Sequence, residues 1–450
     1  MLLGARAAPA QDVDWIAVKG ASVERLPESV FGGRVALYRA GKRGAEPVIL
    51  IHGLGHAGAR DWAEVIPALA ATYDVYALDL PGFGASDKGN HLYSPANYVR
   101  VLDALFGERL KRPANVVGHS MGGVVALAYA IAYPDRVRRL IVVDAAGVLH
   151  RTVYGEFLGR AMAGRKVGAE NPWFEMLMRL ITTQAENLPA KGAMSIESPQ
   201  VRQRLLRGDP TTIAAFALAD HDLSRGLRTI RAPTLIIWSS DDKVAPPRTG
   251  QALASAIPGA RLVVIADAGH APQVTQPERF NALLRDELRG KLAARPYAQP
   301  FAATAGGRSG SCVSERGRQF SGDYDEISLQ GCVDVEISDA RVGRLTVARS
   351  QVRVVNSHVR DGIESHDSRI EFTGGTLGGD PPLSLDETSV DAAALRFLPR
   401  GRVVAENYGE GQVTLRLSVS EIAGLRGDAR YAHQVLRLVE DQSWTPRGVR

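Results

Sequence analysis

Short apolar runs alternate with amphipathic stretches along residues 30–290, and this alternation predicts buried strands separated by helices. Near-continuous apolar runs are typical of a parallel sheet that is covered on both faces. Stretches with helical spacing lie between the runs, for example at residues 62–71 and 246–257. Strands that alternate with helices in this way indicate an α/β domain. The predicted strands are centred on residues 48–51, 75–78, 114–117, 140–143, 235–238 and 262–265.

The alternation is interrupted at residues 147–229, which show helical spacing and no strand pattern. This segment is inserted between two predicted strands of the sheet, and that position favours a helical cap over one edge of the sheet. An ordinary helical core is the alternative interpretation of its apolar stripe. The large apolar side chains of the stripe are Phe157, Met162, Trp173, Phe174, Met176, Met178 and Phe216.

The pattern changes after a predicted linker at residues 291–311, which is rich in proline and small residues. Residues 312–450 contain short alternating strands, and four similar segments begin at positions 335, 352, 370 and 390. Successive starts are 17, 18 and 20 residues apart. A period near twenty predicts an all-β domain built as a β-solenoid, in which each coil buries its apolar row against the next. An ordinary β-sandwich with regular strands is the alternative.

Length and composition fit a globular protein of two domains. The chain has 450 residues, of which 45% are hydrophobic and 23% are charged. The net charge is +5, and its densest basic clusters lie at residues 109–112 and 136–139. No aromatic residues alternate with these charges, so we expect solvated surfaces and no nucleic-acid partner. No apolar run reaches the length of a transmembrane helix.

The two cysteines provide evidence about the cellular compartment of the protein. Cys312 and Cys332 are twenty residues apart, so coils stacked at that period would place them within disulfide reach. Two separate buried thiols are the alternative, and a zinc site would need four clustered ligands. Residues 1–29 are predicted to be a tail or the remnant of a signal peptide, because Ala8-Pro9-Ala10 is similar to a cleavage site. We therefore expect a periplasmic or secreted protein, with a cytoplasmic one as the alternative.

The candidate chemistry begins at residues 118–122, which read G-H-S-M-G. This G-x-S-x-G follows a predicted strand and precedes a predicted helix, the setting of a nucleophile elbow. A free serine hydroxyl is a weak nucleophile that needs a base, an orienting acid and an oxyanion hole. The elbow therefore predicts those groups elsewhere in the chain.

Four further segments each follow a predicted strand, where groups collect at the carboxyl edge of a parallel sheet. They are residues 52–55 (HGLG), 79–86 (DLPGFGAS), 238–246 (WSSDDKVAP) and 268–270 (AGH). With the elbow, these segments resemble the α/β-hydrolase superfamily over residues 30–290. The order serine, acid, histidine is the one that this fold uses.

The resemblance implies a role for each matching residue. Ser120 is the implied nucleophile, His270 the base and Asp242 the acid that orients the imidazole. The backbone N–H groups of Leu54 and Met121 are the implied oxyanion hole. The remaining motif histidines, in the HGLG and elbow segments, are expected to be structural.

The acid has two alternatives in this chain. The family pattern Trp-Gly-x-x-Asp-x-x-x-Pro selects Asp242, which lies four residues after Trp238 and four before Pro246. Serine replaces the glycine of this pattern. Relatives that place the acid one strand earlier would use Asp144, and Asp241 is adjacent to the selected position.

The resemblance also implies the reaction. Haloalkane dehalogenases and epoxide hydrolases of this fold use aspartate at the elbow, so a serine leaves acyl transfer to water. We expect a carboxylic ester hydrolase with no cofactor or metal, acting on a small apolar or aromatic ester. Its substrate would lie under the cap against Trp173, Phe174 and Met176. One alternative is a carbon–carbon bond hydrolase. Another is a protein that binds a polysaccharide, an envelope partner or a second copy through the C-terminal domain.

Overall fold

The structure, a computed structural model, describes residues 18–55, 57–153, 196–293, 295–297, 307–425 and 428–446. Its first part is built on an eight-stranded sheet in the order β1-β2-β4-β3-β5-β6-β7-β8. Strands β3 to β8 are parallel, whereas β1 and β2 are antiparallel to their neighbours. The strands are β1 (Ala21–Pro27), β2 (Arg34–Gly41), β3 (Pro47–Ile51), β4 (Asp74–Leu78), β5 (Ala114–His119), β6 (Val137–Val143), β7 (Thr234–Ser239) and β8 (Arg261–Ile265).

Helices connect the parallel strands, so the predicted α/β architecture is confirmed. Three of them begin at a Ser or Asp cap followed by proline, which satisfies a free N–H of the first turn. The helices are α1 (Val65–Ala70), α2 (Pro95–Phe106), α3 (Met121–Ala132), α4 (Pro199–Leu206), α5 (Pro210–Ala219), α6 (Pro247–Ala256), α7 (Pro272–Thr275) and α8 (Pro277–Leu288). Short 3-10 turns lie at Gly58–Trp62, Pro134–Arg136 and Leu227–Thr229. Helices α4 and α5 belong to the described part of the predicted cap.

Two apolar cores cover the two faces of this sheet. All five residues of β3 are buried, but Ile49 and Ile51 belong to one core and Val48 and Leu50 to the other. This division follows from the two-residue period of a strand. Strand β1 lies inside residues 1–29, which the sequence assigns to a tail. Its side chains are half exposed at the sheet edge, so it lacks the apolar run that marks the central strands.

The C-terminal region is an all-β domain whose strands pair mainly in parallel. Its strands are β9 (Arg308–Val313), β10 (Gln319–Gln330), β11 (Val335–Ala348), β12 (Gln351–Val355), β13 (His358–Val359), β14 (Ile363–His366), β15 (Arg369–Thr373), β16 (Thr376–Gly379), β17 (Leu383–Asp386), β18 (Ser389–Ala393), β19 (Arg396–Pro399), β20 (Ala405–Asn407), β21 (Val413–Leu425), β22 (Asp428–Leu438) and β23 (Ser443–Trp444).

The four segments aligned on the sequence are neighbours in register. The buried row Val335, Val352, Ile370, Val390 and Leu415 runs through paired strands, with steps of 17, 18, 20 and 25 residues. Cys312 and Cys332 form a disulfide, with 6.4 Å between their Cα atoms. The antiparallel strand β22 pairs with β21 at the other end. Among the described residues, no helix is both long and apolar enough to cross a bilayer.

Candidate active site

The elbow residue Ser120 adopts a strained backbone conformation between β5 and α3. Its φ of 52° and ψ of −118° are sparsely populated for a residue with a side chain. Glycine is required on either side of it. A Cβ atom at Gly118 would lie 2.2 Å from the oxygen of Gly122, and one at Gly122 would lie 2.3 Å from the oxygen of Ile51. The tight turn therefore explains the G-x-S-x-G spacing.

Ser120, His270 and Asp242 form one chain of hydrogen bonds. The Ser120 Oγ lies 2.9 Å from His270 Nε2, and His270 Nδ1 lies 2.8 Å from Asp242 Oδ2. A carboxylate only accepts, so Nδ1–H donates to Asp242 and Nε2 is free to accept the serine proton. The loops after β5, β7 and β8 carry these residues to the same edge of the sheet. This arrangement can activate the hydroxyl for attack on a carbonyl carbon.

Backbone groups hold the Asp242 carboxylate in place. Its Oδ1 accepts hydrogen bonds from the N–H of Val244 at 2.7 Å and of Ala245 at 3.0 Å. The neighbouring Asp241 accepts from the N–H of Gly269 at 2.9 Å. Asp241 therefore fastens the loop that carries the histidine, whereas Asp242 contacts the imidazole itself.

Asp144, the alternative acid, is held by a serine. Its Oδ1 accepts from the N–H of Ser239 at 2.8 Å, and its Oδ2 accepts from the Ser239 hydroxyl at 2.9 Å. Burial, with the nearby charge of Asp242, raises the pKa of Asp144 well above its usual range. Ser239 is the residue that replaces the family's glycine, so this departure from the pattern supplies a partner for a buried carboxyl group.

His119 stabilises the loop that carries His270. Its Nε2–H donates to the backbone oxygen of His270 at 2.7 Å, and the two rings are 5.1 Å apart between centroids. The Asp61 carboxylate lies 3.8 Å from His119 Nδ1. Burial lowers the pKa of His119, but Asp61, the backbone oxygen of His270 and the charge of Asp144 act in the opposite direction, and the pKa is raised. The sequence marks His119 only as structural, because its partners are distant along the chain.

Burial lowers the pKa of His270 below its ordinary value. The Asp242 carboxylate acts in the opposite direction by favouring the imidazolium, and nearby His119 adds to the lowering. An imidazole with a lowered pKa is neutral at neutral pH, and the neutral form is the one that can accept a proton.

The two expected oxyanion donors lie beside Ser120. Met121 is the first residue of α3, so its N–H is at the positive end of the helix dipole. Leu54 follows Gly53, where an added Cβ would be 3.0 Å from the Ser120 side chain. Neither the Leu54 N–H nor the Met121 N–H donates a hydrogen bond to another described residue. His52 steadies this loop, since its Nδ1–H donates to Gly53 and its Nε2 accepts from Leu80.

Two expectations concern groups outside this hydrogen-bonded chain. Trp173, Phe174 and Met176, the candidates for substrate contact, lie outside the described residues. Within the described ranges, His, Cys, Asp and Glu side chains form no group of three or more that could hold a metal ion.

The chain is similar in sequence to known hydrolases. The sequence model of a family described as alpha/beta hydrolase fold matches residues 46–277. The chain is 32% identical over 270 residues to the pimeloyl-[acyl-carrier protein] methyl ester esterase of Neisseria meningitidis serogroup A, a match that covers 59% of this chain and 82% of the relative. It is 30% identical over 259 residues to the 2-hydroxy-6-oxononadienedioate/2-hydroxy-6-oxononatrienedioate hydrolase of Cupriavidus pinatubonensis, covering 54% and 87%.

Solved structures give matches of similar extent. A thermophilic esterase from Thermogutta terrifontis shares 30% identity, with a TM-score of 0.46. The match covers 60% of this chain and 99% of the esterase.

Proposed function

We propose that this chain, which belongs to the alpha/beta hydrolase fold family, is a serine hydrolase that cleaves carboxylic esters through an acyl-enzyme. The observation that carries the proposal is the hydrogen-bonded chain from Ser120 through His270 to Asp242, with distances of 2.9 and 2.8 Å. A hydroxyl, an imidazole and a buried carboxylate in this order constitute the machinery of acyl transfer.

The proposed reaction has two halves. Ser120 Oγ attacks the ester carbon as its proton passes to His270 Nε2, and the carbonyl electrons move to the oxygen. The N–H groups of Leu54 and Met121 stabilise that oxyanion. Collapse expels the alcohol, which takes the proton from His270 Nε2. Water then repeats the sequence, releasing the acid and restoring the serine. Asp242 stabilises the imidazolium in both halves.

The relatives support an ester as the substrate class. One relative, 32% identical over 270 residues, is named a methyl ester esterase. We propose a small apolar or aromatic ester, bound under the cap against Trp173, Phe174 and Met176. Cleavage of a carbon–carbon bond is the second candidate, because another relative at 30% identity is named for a 2-hydroxy-6-oxo dienedioate.

For the C-terminal domain we propose a β-solenoid over residues 312–450, which β9 extends back to Arg308. The linker within residues 291–311 joins it to the hydrolase domain 30–290, whose sheet β1 (Ala21–Pro27) extends toward the N-terminus. The support is parallel pairing at steps of 17 to 25 residues, which fits stacked coils better than a sandwich of antiparallel strands. Binding of a polysaccharide, an envelope component or a second copy through its outer faces is the alternative function. The Cys312–Cys332 disulfide favours a periplasmic or secreted location over a cytoplasmic one.

Hydrolysis of a p-nitrophenyl ester series, from short to long acyl chains, tests the proposal. We expect turnover in the wild type, loss of it in Ser120→Ala, and no change in Ser309→Ala, which alters an exposed serine on β9. The acyl length that is hydrolysed fastest would indicate the length of the acyl pocket. A wild type that a fluorophosphonate labels but that cleaves no ester would favour the carbon–carbon hydrolase. Ester turnover retained by Ser120→Ala would refute the proposed nucleophile.

A further inference from the structure

The C-terminal domain contacts the hydrolase domain next to the loop of Asp242. Helix α6 begins five residues after that aspartate and carries Arg248 in its first turn. The Arg248 side chain is only 12% exposed. Its Nη1 lies 2.8 Å from Asp391 Oδ2, and its Nε donates to Thr373 Oγ1 at 2.9 Å. Its Nη2 donates to the backbone oxygen of Asp391 at 3.0 Å. The guanidinium is therefore bound by β15 and β18 together.

The charges on the C-terminal domain match this guanidinium. One row of side chains crosses the paired strands in register as Glu336, Arg353, Glu371, Asp391 and Arg416. Charges of opposite sign are neighbours at every step but one, between Glu371 and Asp391. Like charges directly opposite one another destabilise a sheet. Arg248 of the hydrolase domain lies at that step, 2.8 Å from Asp391 and 3.7 Å from Glu371. The acidic pair is thus complementary to a residue of the other domain.

Apolar and small residues extend this contact. Ala393, Ala394 and Val419 of the C-terminal domain are buried in the same apolar core as residues of the hydrolase domain. Gly374 packs closely on α6, because a Cβ atom there would lie 2.2 Å from Ser255 Oγ. A contact that shares a core and buries an ion pair holds its two parts in one relative position.

Both ends of the cap insertion meet the same domain. After β6, the N–H of His150 donates to Ser418 Oγ at 2.9 Å, and the ring of His150 lies 5.2 Å from that of His433. Before β7, Arg228 forms an ion pair with Glu421. The loop that carries Asp242 and both ends of the cap insertion therefore lie against the C-terminal domain.

We propose that the C-terminal domain is a positioning element of the active site, acting through Arg248. The turn before α6 supplies the N–H groups of Val244 and Ala245 that hold Asp242. Arg248 follows that turn directly, so its bonds to Asp391 set where the turn, and with it Asp242, lies against His270. This inference rests on the proposed function, because it assigns a role to the acid of the serine hydrolase.

The test compares full-length variants by the rate at which a fluorophosphonate labels Ser120, measured from pH 4 to pH 9. Labelling depends on activation of the serine and needs no knowledge of the natural substrate. We expect Arg248→Met and Asp391→Asn to label about 10- to 100-fold more slowly, since misplacement by about 1 Å can cost about 100-fold. Arg248→Lys should recover part of the rate because it keeps the charge. Arg400→Met, which removes an ion pair to Asp361 within the C-terminal domain, is the matched control.

The pH midpoint separates positioning from general stability. The Asp242 carboxylate raises the pKa of His270, so a displaced carboxylate should move the labelling midpoint to lower pH. Asp391→Asn keeps the side-chain volume and serves if Arg248→Met does not fold. Folded variants with the wild-type rate and midpoint would overturn the inference, even if they melt at a lower temperature. A wild type that is not labelled at all would refute the proposed function and this inference with it.

Discussion

Replacement of Asp242 by asparagine should disable the site through the tautomer of His270. Asp242 Oδ1 accepts two backbone N–H groups, at 2.7 and 3.0 Å, so the amide oxygen of an asparagine must occupy that position. The amide NH2 then faces His270 Nδ1 and can only donate to it. His270 is driven to carry its proton on Nε2, where it can no longer accept the proton of Ser120. Such a tautomer costs about 10⁴-fold in kcat, or about 5.4 kcal/mol.

The matched variant is Asp144→Asn. Its carboxyl group contacts the N–H and the hydroxyl of Ser239, and a serine hydroxyl can rotate to accept from an amide. The raised pKa of Asp144 favours an uncharged carboxyl group, which an amide resembles. One altered neutral hydrogen bond is worth about 1 kcal/mol, so kcat should stay within about tenfold of the wild type.

The assay is steady-state hydrolysis of a p-nitrophenyl ester, with the protein concentration of each variant measured by absorbance. We expect Asp242→Asn to fold, as judged by circular dichroism, and to lose nearly all turnover, while Asp144→Asn remains active. The reasoning is refuted if Asp144→Asn loses as much activity as Asp242→Asn. In that event Asp144 would be the acid, or the two carboxyl groups would share that function.

Three further measurements test the geometry. Because burial lowers the pKa of His270 and the base must be neutral, kcat/KM should rise with pH through a midpoint below the ordinary value of about 6.5; a midpoint above it would contradict the site. Gly122→Ala should lower the free energy of unfolding by about 1–3 kcal/mol, because its Cβ would lie 2.3 Å from a backbone oxygen of β3. Gly55→Ala is the control and should be near neutral in thermal unfolding, because a Cβ atom there has no heavy atom within 4 Å. Replacement of Cys312 and Cys332 by serine should remove about 3 kcal/mol, the value for a loop of this length, and unchanged unfolding would contradict a bond in the native protein.

Local pattern predicted the α/β architecture of the first domain and most strands of its sheet. Apolar runs predict β3 to β7, which are largely buried, and also β8, whose apolar residues are only partly buried at the edge of the sheet. Strand β1 escapes prediction because its side chains are half exposed, and β2 escapes it although it is mostly buried. The candidates Ser120, Asp242 and His270 are implied by the resemblance to the α/β-hydrolase superfamily, whose matching segments lie at strand ends that meet at one edge of the sheet. The period of the C-terminal segments reflects a buried row that recurs on each of the paired strands β11, β12, β15, β18 and β21.

Contacts between distant parts of the chain were decided only by the tertiary structure. The bond from His119 to the His270 backbone spans 151 residues, and that from Arg248 to Asp391 spans 143. The partnership of Asp144 with Ser239 likewise joins two strands. Periodicity reports which face of an element is buried, but it does not report which element covers that face. The role of the domain interface beside Asp242 therefore depends on how two separately patterned regions pack, which no local spacing encodes.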